Sequence, residues 1–221
     1  NSGNIGSVKI GQKLGVDKIR NFLNKIGIIG DIKFDITEIG TPIPFDWGKC
    51  KLLTVSFGHG ITTTPLQLAK GYSVLSNGGF DIKPTLILNK KKDQSKKNKI
   101  IEKDVSIKIN HILRKIVSSD DGTAGLANVN GYEIGGKTGT AQKVIDGKYS
   151  RLKINTFASI FPTSNPKFVL VVLIDEPKTS KDYIYKYRNK LGSYKGTPFN
   201  TAGWTSVEIV GNIIDKIGPI L

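Results

Sequence analysis

Apolar side chains recur mostly at three- and four-residue intervals in several stretches of the first 120 residues of this chain, and between residues 134 and 174 the interval falls to one or two. A helical stripe cannot lie in a sheet, so the change of period separates a helical part from a β part. Before it, Ile5, Val8, Ile10, Leu14, Ile19, Phe22, Leu23 and Ile26 predict two short helices, interrupted at Gly11 and Gly15. Residues 28–53, with Pro42, Pro44 and Trp47 among many Gly, Asp and Thr, predict an irregular surface segment. Thr64-Pro65 opens a helix carrying Leu66, Leu68, Ala69, Tyr72 and Leu75, and Asn77-Gly78-Gly79 closes it. Val105, Ile109, Ile112, Leu113, Ile116 and Val117 form a further stripe that stops near Asp120-Asp121-Gly122. Strands follow at 134–144 and 153–161, joined through Asp146-Gly147. After the Asn165-Pro166 turn, the unbroken apolar run 168–174 predicts a strand buried on both faces. Beyond a Tyr/Lys-rich loop, Val207, Ile209, Val210, Ile213, Ile214 and Ile217 give a closing helix that stops at Gly218-Pro219. Helices first, then antiparallel strands, then a helix free to pack on the sheet describe an α+β fold.

The net charge of +15 raises a nucleic-acid reading, but the kind of cation argues against it. Only Arg20, Arg114, Arg151 and Arg188 among the 33 basic residues are arginine, and lysine cannot make arginine's planar bidentate contacts to bases and phosphates. Lys90, Lys91, Lys92, Lys96, Lys97, Lys99 and Lys103 fall in one polar stretch that reads as a solvated loop, and a lysine-rich surface also suits an anionic membrane or cell-wall polymer. Cys50 is the sole cysteine, an ordinary thiol in the irregular segment that leaves no disulfide within the chain. The 221 residues contain no methionine, so the first residue is read as lying inside a longer, amino-terminally truncated protein. No apolar run approaches the roughly 20 residues of a membrane-spanning helix.

The sharpest local signal is Gly135-Gly136-Lys137-Thr138-Gly139-Thr140-Ala141-Gln142. A phosphate loop requires an earlier glycine at a fixed distance and a following helix, and here the chain continues as a strand. On a strand, Lys137, Thr138 and Thr140 offer an ammonium, hydroxyls and backbone N–H groups along one edge, where an acyl substrate bearing a carboxylate can lie antiparallel. Gly139 removes a side chain from that edge. A Lys-Thr-Gly strand is one of three signatures of penicillin-recognising serine acyltransferases, and Ser2-Gly3-Asn4 supplies a second, Ser-x-Asn. Taken alone, Ser-x-Asn also reads as a helix cap.

With these two elements in order, the chain resembles the class B penicillin-binding proteins, the monofunctional transpeptidases of the bacterial cell wall, over essentially its whole length. Ser56-Phe57-Gly58-His59-Gly60-Ile61 running into Thr64-Pro65-Leu66-Gln67-Leu68-Ala69 is similar to the family's core helix, with Ser76-Asn77-Gly78-Gly79 after it. The run 171–177 is similar to the septal, cell-division branch. Where the family carries Tyr-x-Gly-Gly-x-x-Ala-x-Pro, this chain has Tyr194-Lys195-Gly196-Thr197-Pro198 and then Ala202-Gly203-Trp204.

The resemblance implies a penicillin-binding, serine β-lactamase-like transpeptidase fold, with 1–221 as the C-terminal portion of that domain. Ser2 would relay a proton, Asn4 would hydrogen-bond the peptide amide, and Lys137 would lie against Ser2. Thr138, Gly139, Thr140 and Gln142 would hold the substrate, with Thr138 and Thr140 on the terminal carboxylate and the Thr140 N–H an oxyanion donor. The implied partners are peptidoglycan stem peptides, β-lactams, a division glycosyltransferase and, through a missing amino-terminal anchor, the bacterial inner membrane. The catalytic domain would face the periplasm or outer side. No cofactor or metal is implied, because a serine–lysine pair and an oxyanion hole suffice.

The family's Ser-x-x-Lys nucleophile precedes Ser-x-Asn, and one residue precedes Ser2. Ser150-Arg151-Leu152-Lys153 enters a predicted strand and Ser164-Asn165-Pro166-Lys167 lies in a turn, so neither sets the lysine one helical turn from the serine. The expectation is a chain that cannot acylate by itself. The alternatives are a serine β-lactamase or D,D-carboxypeptidase of the same superfamily and, more remotely, a basic nucleic-acid-binding domain. His59 and His111 lack partners at zinc-ligand spacing. Asp120-Asp121 reads as a helix-ending turn, and Trp47 and Trp204 as packing residues that could also line a groove.

Overall fold

The computed structural model describes residues 3–37, 40–88, 98–186, 193–195 and 200–221. It divides into two units, Asn1–Glu102 and Lys103–Leu221.

The first unit carries helices α1 (Asn4–Leu14), α2 (Val16–Lys25), α3 (Lys49–Val55) and α4 (Pro65–Ser76). Gly15, at φ +81°, makes the break between α1 and α2. Gly11 does not interrupt α1: it is buried within it, and a Cβ there would stand 1.9 Å from Ser56 Oγ, so the glycine lets α1 approach the end of α3. The segment expected to be irregular to residue 53 gives way to α3 at Lys49 and contributes buried Ile28 and Ile32, and Cys50 lies exposed on α3. α4 begins as expected, with a capping box in which the Thr64 hydroxyl accepts from Gln67 N–H and the Gln67 amide oxygen accepts from Thr64 N–H. Gln67 is fully buried, and its amide donates to Gly30 O at 2.7 Å. Ile26, Ile28 and Val74 centre the apolar core of this unit. The lysine-rich stretch lies outside the described residues through Lys97, and Lys99 pairs with Glu102.

The second unit opens with α5 (Lys103–Ser118), followed by strands β1 (Gly135–Ile145), β2 (Lys148–Phe161) and β3 (Phe168–Asp175) and closed by α6 (Ser206–Ile217). The strands form an antiparallel sheet in the order β1-β2-β3. Asp146 (φ +50°) and Gly147 (φ +74°) turn the β1–β2 hairpin, and two positive φ values in a two-residue loop suit the right-handed twist of the pair. The strand buried on both faces is β2, whose segment from Phe157 to Phe161 is shielded throughout. β3, expected in that role, is only half-buried and pairs among the described residues with β2 alone. Its apolar run reflects α6 on one side, where Val207, Val210 and Ile214 join a core with Val117, Ile134 and Phe157. Within the expected Tyr/Lys loop, β4 (Ile184–Lys186) and β5 (Ser193–Lys195) form a second antiparallel pair, and Tyr185 turns into the core.

Gly135 and Gly136 are dictated by packing. A Cβ on Gly135 would stand 2.9 Å from the backbone of Leu113 and Arg114 in α5, and one on Gly136 would stand 2.7 Å from Ala158 O and 2.5 Å from the Phe157 ring. The two glycines let the start of β1 lie directly against α5 on one side and β2 on the other.

Candidate active site

On the pleat of β1, Lys137, Gly139 and Ala141 point to one face and Thr138, Thr140 and Gln142 to the other. Thr138 and Thr140 line a pocket of about 420 Å³, and Lys137, on the opposite face of the strand, is not among its lining residues. The pocket is completed by Asp120, Gly122, Thr123, Gly125 and Leu126 beyond the end of α5, and by Thr201, Gly203 and Trp204 before α6.

Three contacts hold these segments together. The Thr123 and Thr138 hydroxyls share a hydrogen bond of 3.2 Å. Ala202 N–H donates to Thr140 Oγ1 at 3.0 Å. A Cβ on Gly203 would stand 2.8 Å from Thr123 O, so the 3-10 turn Ala202–Trp204 is pressed against the Thr123 segment. Because a backbone N–H can only donate, Thr140 Oγ1 is committed as an acceptor there, and its own proton is left for an acceptor in the pocket.

Beneath this arrangement lies Asn155, fully buried in β2 directly opposite Thr140. Its amide donates to Asn200 O at 3.0 Å and to Thr205 Oγ1 at 2.8 Å, tying both ends of the 200–205 segment to the sheet. Its Oδ1 is buried without a partner among the described residues. Arg114 secures the start of β1, donating to Ile134 O at 2.8 Å and to Asn128 Oδ1 at 3.0 Å.

Lys137 is half-buried and donates to Thr138 O at 2.7 Å. Burial lowers its pKa below the ordinary lysine value. The unfolded chain then holds the proton to higher pH than the folded one, so stability rises with pH through the window between the lowered folded pKa and the ordinary value. Lys137→Met is expected to raise stability in urea at pH 7 by about 0.5–1 kcal/mol. The gain should shrink as pH climbs through that window, and a pH-independent difference would contradict the assignment.

Gly139 stands apart from its neighbours. A Cβ there meets nothing nearer than 3.9 Å, so packing does not demand the glycine, and the strand edge beside it is clear. Gln142 is exposed and donates to Ser150 O at 3.2 Å, away from the pocket lining. Asn4, the first residue of α1, is exposed, and Ser2 lies outside the described residues. The helix-cap reading of that motif is corrected: Gly3 holds the N-cap position, with no side-chain capping bond. Ser150 and Lys153 lie three apart on β2, where Ser150 Oγ accepts from Leu152 N–H and Lys153 donates to Asn200 Oδ1. Ser164 lies in the turn after β2, its N–H on Glu133.

Asp120, Thr123, Thr201, Ala202 and Asn155 were not singled out in sequence as site residues. Trp204 both lines the pocket and packs edge to face on Tyr185 at 5.2 Å, while Trp47 packs on Phe45. Among the described residues no three His, Cys, Asp or Glu side chains converge on a common point, and no helix is long and apolar enough to cross a membrane.

The model of the penicillin binding protein transpeptidase domain matches residues 1–193. The chain is 28% identical across its whole length to the probable peptidoglycan D,D-transpeptidase FtsI of Caulobacter vibrioides, of which it covers 37%. Over 80% of its length it is 34% identical to the stage V sporulation protein D of Bacillus subtilis, covering 29% of that protein. The chain thus spans about a third of the length of these relatives. Among solved structures, the transpeptidase domain of Burkholderia pseudomallei penicillin-binding protein 3 superposes with a TM-score of 0.80 at 24% identity, over 98% of this chain and 61% of that one. Penicillin binding protein 3 of Mycobacterium tuberculosis complexed with aztreonam gives 0.80 at 21% identity, over 100% and 50%. At these identities the likeness shows the fold.

Proposed function

Because the chain belongs to the penicillin-binding protein transpeptidase domain family, we propose that it is the substrate-holding part of a septal peptidoglycan D,D-transpeptidase. Within its Lys137–Gln142 stretch, Thr138 and Thr140 receive the terminal carboxylate of a stem peptide or of a β-lactam. The observation that carries this reading is the Thr140 hydroxyl, which accepts from Ala202 N–H and so turns its proton toward an anion in the pocket. The clear edge at Gly139 supports it, since nothing in the packing calls for a glycine there.

In the reaction proposed for the complete protein, a serine Oγ attacks the penultimate D-alanine carbonyl. The Thr140 N–H and the serine's own N–H take the oxyanion. Loss of one such donor costs on the order of 10²–10³ in rate. The C–N bond breaks, terminal D-alanine leaves with a proton relayed through Ser2 and Lys137, and Asn4 holds the peptide amide. An amine of a neighbouring strand then attacks the ester, releasing the serine with its proton restored. A site at the outer side of the inner membrane, an anchor in that membrane and a division glycosyltransferase partner belong to the same proposal.

The chain by itself forms no acyl-enzyme in this reading, because neither Ser150 nor Ser164 has a lysine placed to deprotonate it. Fluorescent penicillin labelling of this chain beside an amino-terminally extended protein tests it. Label is expected on the extended protein alone, and long-lived. Label on the chain itself would overturn the assignment of the nucleophile, and rapid turnover on the extended protein would overturn transpeptidation in favour of hydrolysis.

A further inference from the structure

Among the described residues, the lining of the pocket beside Thr138 and Thr140 has a charge pattern opposite to that of the protein as a whole. The chain has 33 basic against 18 acidic residues, yet among the described residues that line the pocket none is a lysine or arginine, and one, Asp120, is a carboxylate. Asp120 is exposed on the turn that follows α5. The ion pairs among the described residues engage Asp81, Glu102, Asp104, Asp175 and Glu176, and not Asp120. Three residues on, Thr123 shares its hydroxyl hydrogen bond with Thr138, which sets the Asp120 turn alongside the hydroxyl-bearing face of β1. A ligand whose carboxylate lies on Thr138 and Thr140 therefore brings its other substituents into the field of Asp120.

Resting on the carboxylate-binding reading given above, we propose that Asp120 makes this pocket selective for zwitterionic ligands. A peptide or β-lactam with an ammonium group besides its carboxylate is favoured, and one with a second carboxylate is disfavoured. In an open, solvated pocket each such charge interaction is worth roughly two- to fivefold in affinity and is weakened by salt.

Three penicillins that differ only at the side-chain α-carbon provide the test: ampicillin (ammonium), benzylpenicillin (hydrogen) and carbenicillin (carboxylate). Isotope-labelled chain is titrated with each at low salt, and the Thr138 and Thr140 amide shifts are followed. Ampicillin is expected to bind about threefold more tightly than benzylpenicillin and carbenicillin about threefold more weakly. In Asp120→Asn the three affinities should converge to within about twofold, as they should for the unaltered chain at high salt. Equal affinities in the unaltered chain, or a spread that survives Asp120→Asn, would overturn the role of Asp120 and leave carboxylate binding standing. No shift at Thr138 or Thr140 with any of the three would overturn carboxylate binding and this proposal with it.

Discussion

Gly136→Ala is expected to destabilise the protein by about 3 kcal/mol, whereas Gly139→Ala, three positions along the same strand, should change stability by no more than about 0.5 kcal/mol. The contrast follows from what a single methyl group meets. At Gly136 it meets Ala158 O at 2.7 Å and the buried Phe157 ring at 2.5 Å, and a backbone oxygen inside a three-stranded sheet cannot retreat. At Gly139 the nearest atoms are 3.9 Å away, an ordinary contact. For a chain of this size the first change corresponds to a fall in melting temperature of roughly 6–12 °C. Function should invert the order: in the amino-terminally extended protein, a methyl group at position 139 that holds a ligand about 1 Å off the strand costs on the order of 10² in β-lactam acylation rate. Melting curves of both variants and the labelling rate of Gly139→Ala check the pair. A Gly139→Ala protein that labels at the normal rate would remove the functional reason for that glycine.

The second large effect is expected at Asn155. Asn155→Asp replaces a fully buried amide donor with a carboxylate facing Asn200 O, another acceptor. An unpaired buried charge costs about 3–5 kcal/mol, and burial raises the carboxyl pKa above its unfolded value of about 4. The folded variant then binds a proton that the unfolded chain releases, so its stability is highest below the unfolded pKa and declines as pH rises through the window up to the raised folded value. Urea denaturation near pH 4 and at pH 7 should show a deficit that is small in acid and large at neutrality. A deficit independent of pH would mean that the side chain escapes to solvent. The variant should also release the 200–205 segment and with it the Ala202 contact to Thr140.

Where elements are long and their apolar residues regular, the sequence was readable: α4, α5, β1, β2 and α6 lie close to their expected places because periodicity and the Thr64-Pro65, Asp146-Gly147 and Gly218-Pro219 signals are local. Elements set by partners were hidden. Gly11 reads as a helix breaker until α3 is known to pack against it, and β4 and β5 are too short for a three-residue alternation to stand out. The burial of β2 over β3 was reversed because a continuous apolar run resembles a central strand, while Asn155 and Ser159 disguise the real one. Thr138 and Thr140 were found because the motif is contiguous. Asp120, Thr123 and Ala202 were not, since they belong to segments about 15 to 20 residues before and about 60 residues after the motif, joined to it only by the fold. Asn155 did leave a trace, a polar residue in the same strand register as Phe157 and Phe161.

The Asp146–Gly147 turn offers a practical handle. It is exposed and lies six residues along β1 from Thr140, about 20 Å at the rise of an extended strand. A peptide tag or fluorophore inserted there would ride on the hairpin tip, anchored by the β1–β2 ladder yet beyond contact with a molecule on Thr138 and Thr140. The hairpin is thus a natural mounting point for an optical sensor of occupancy.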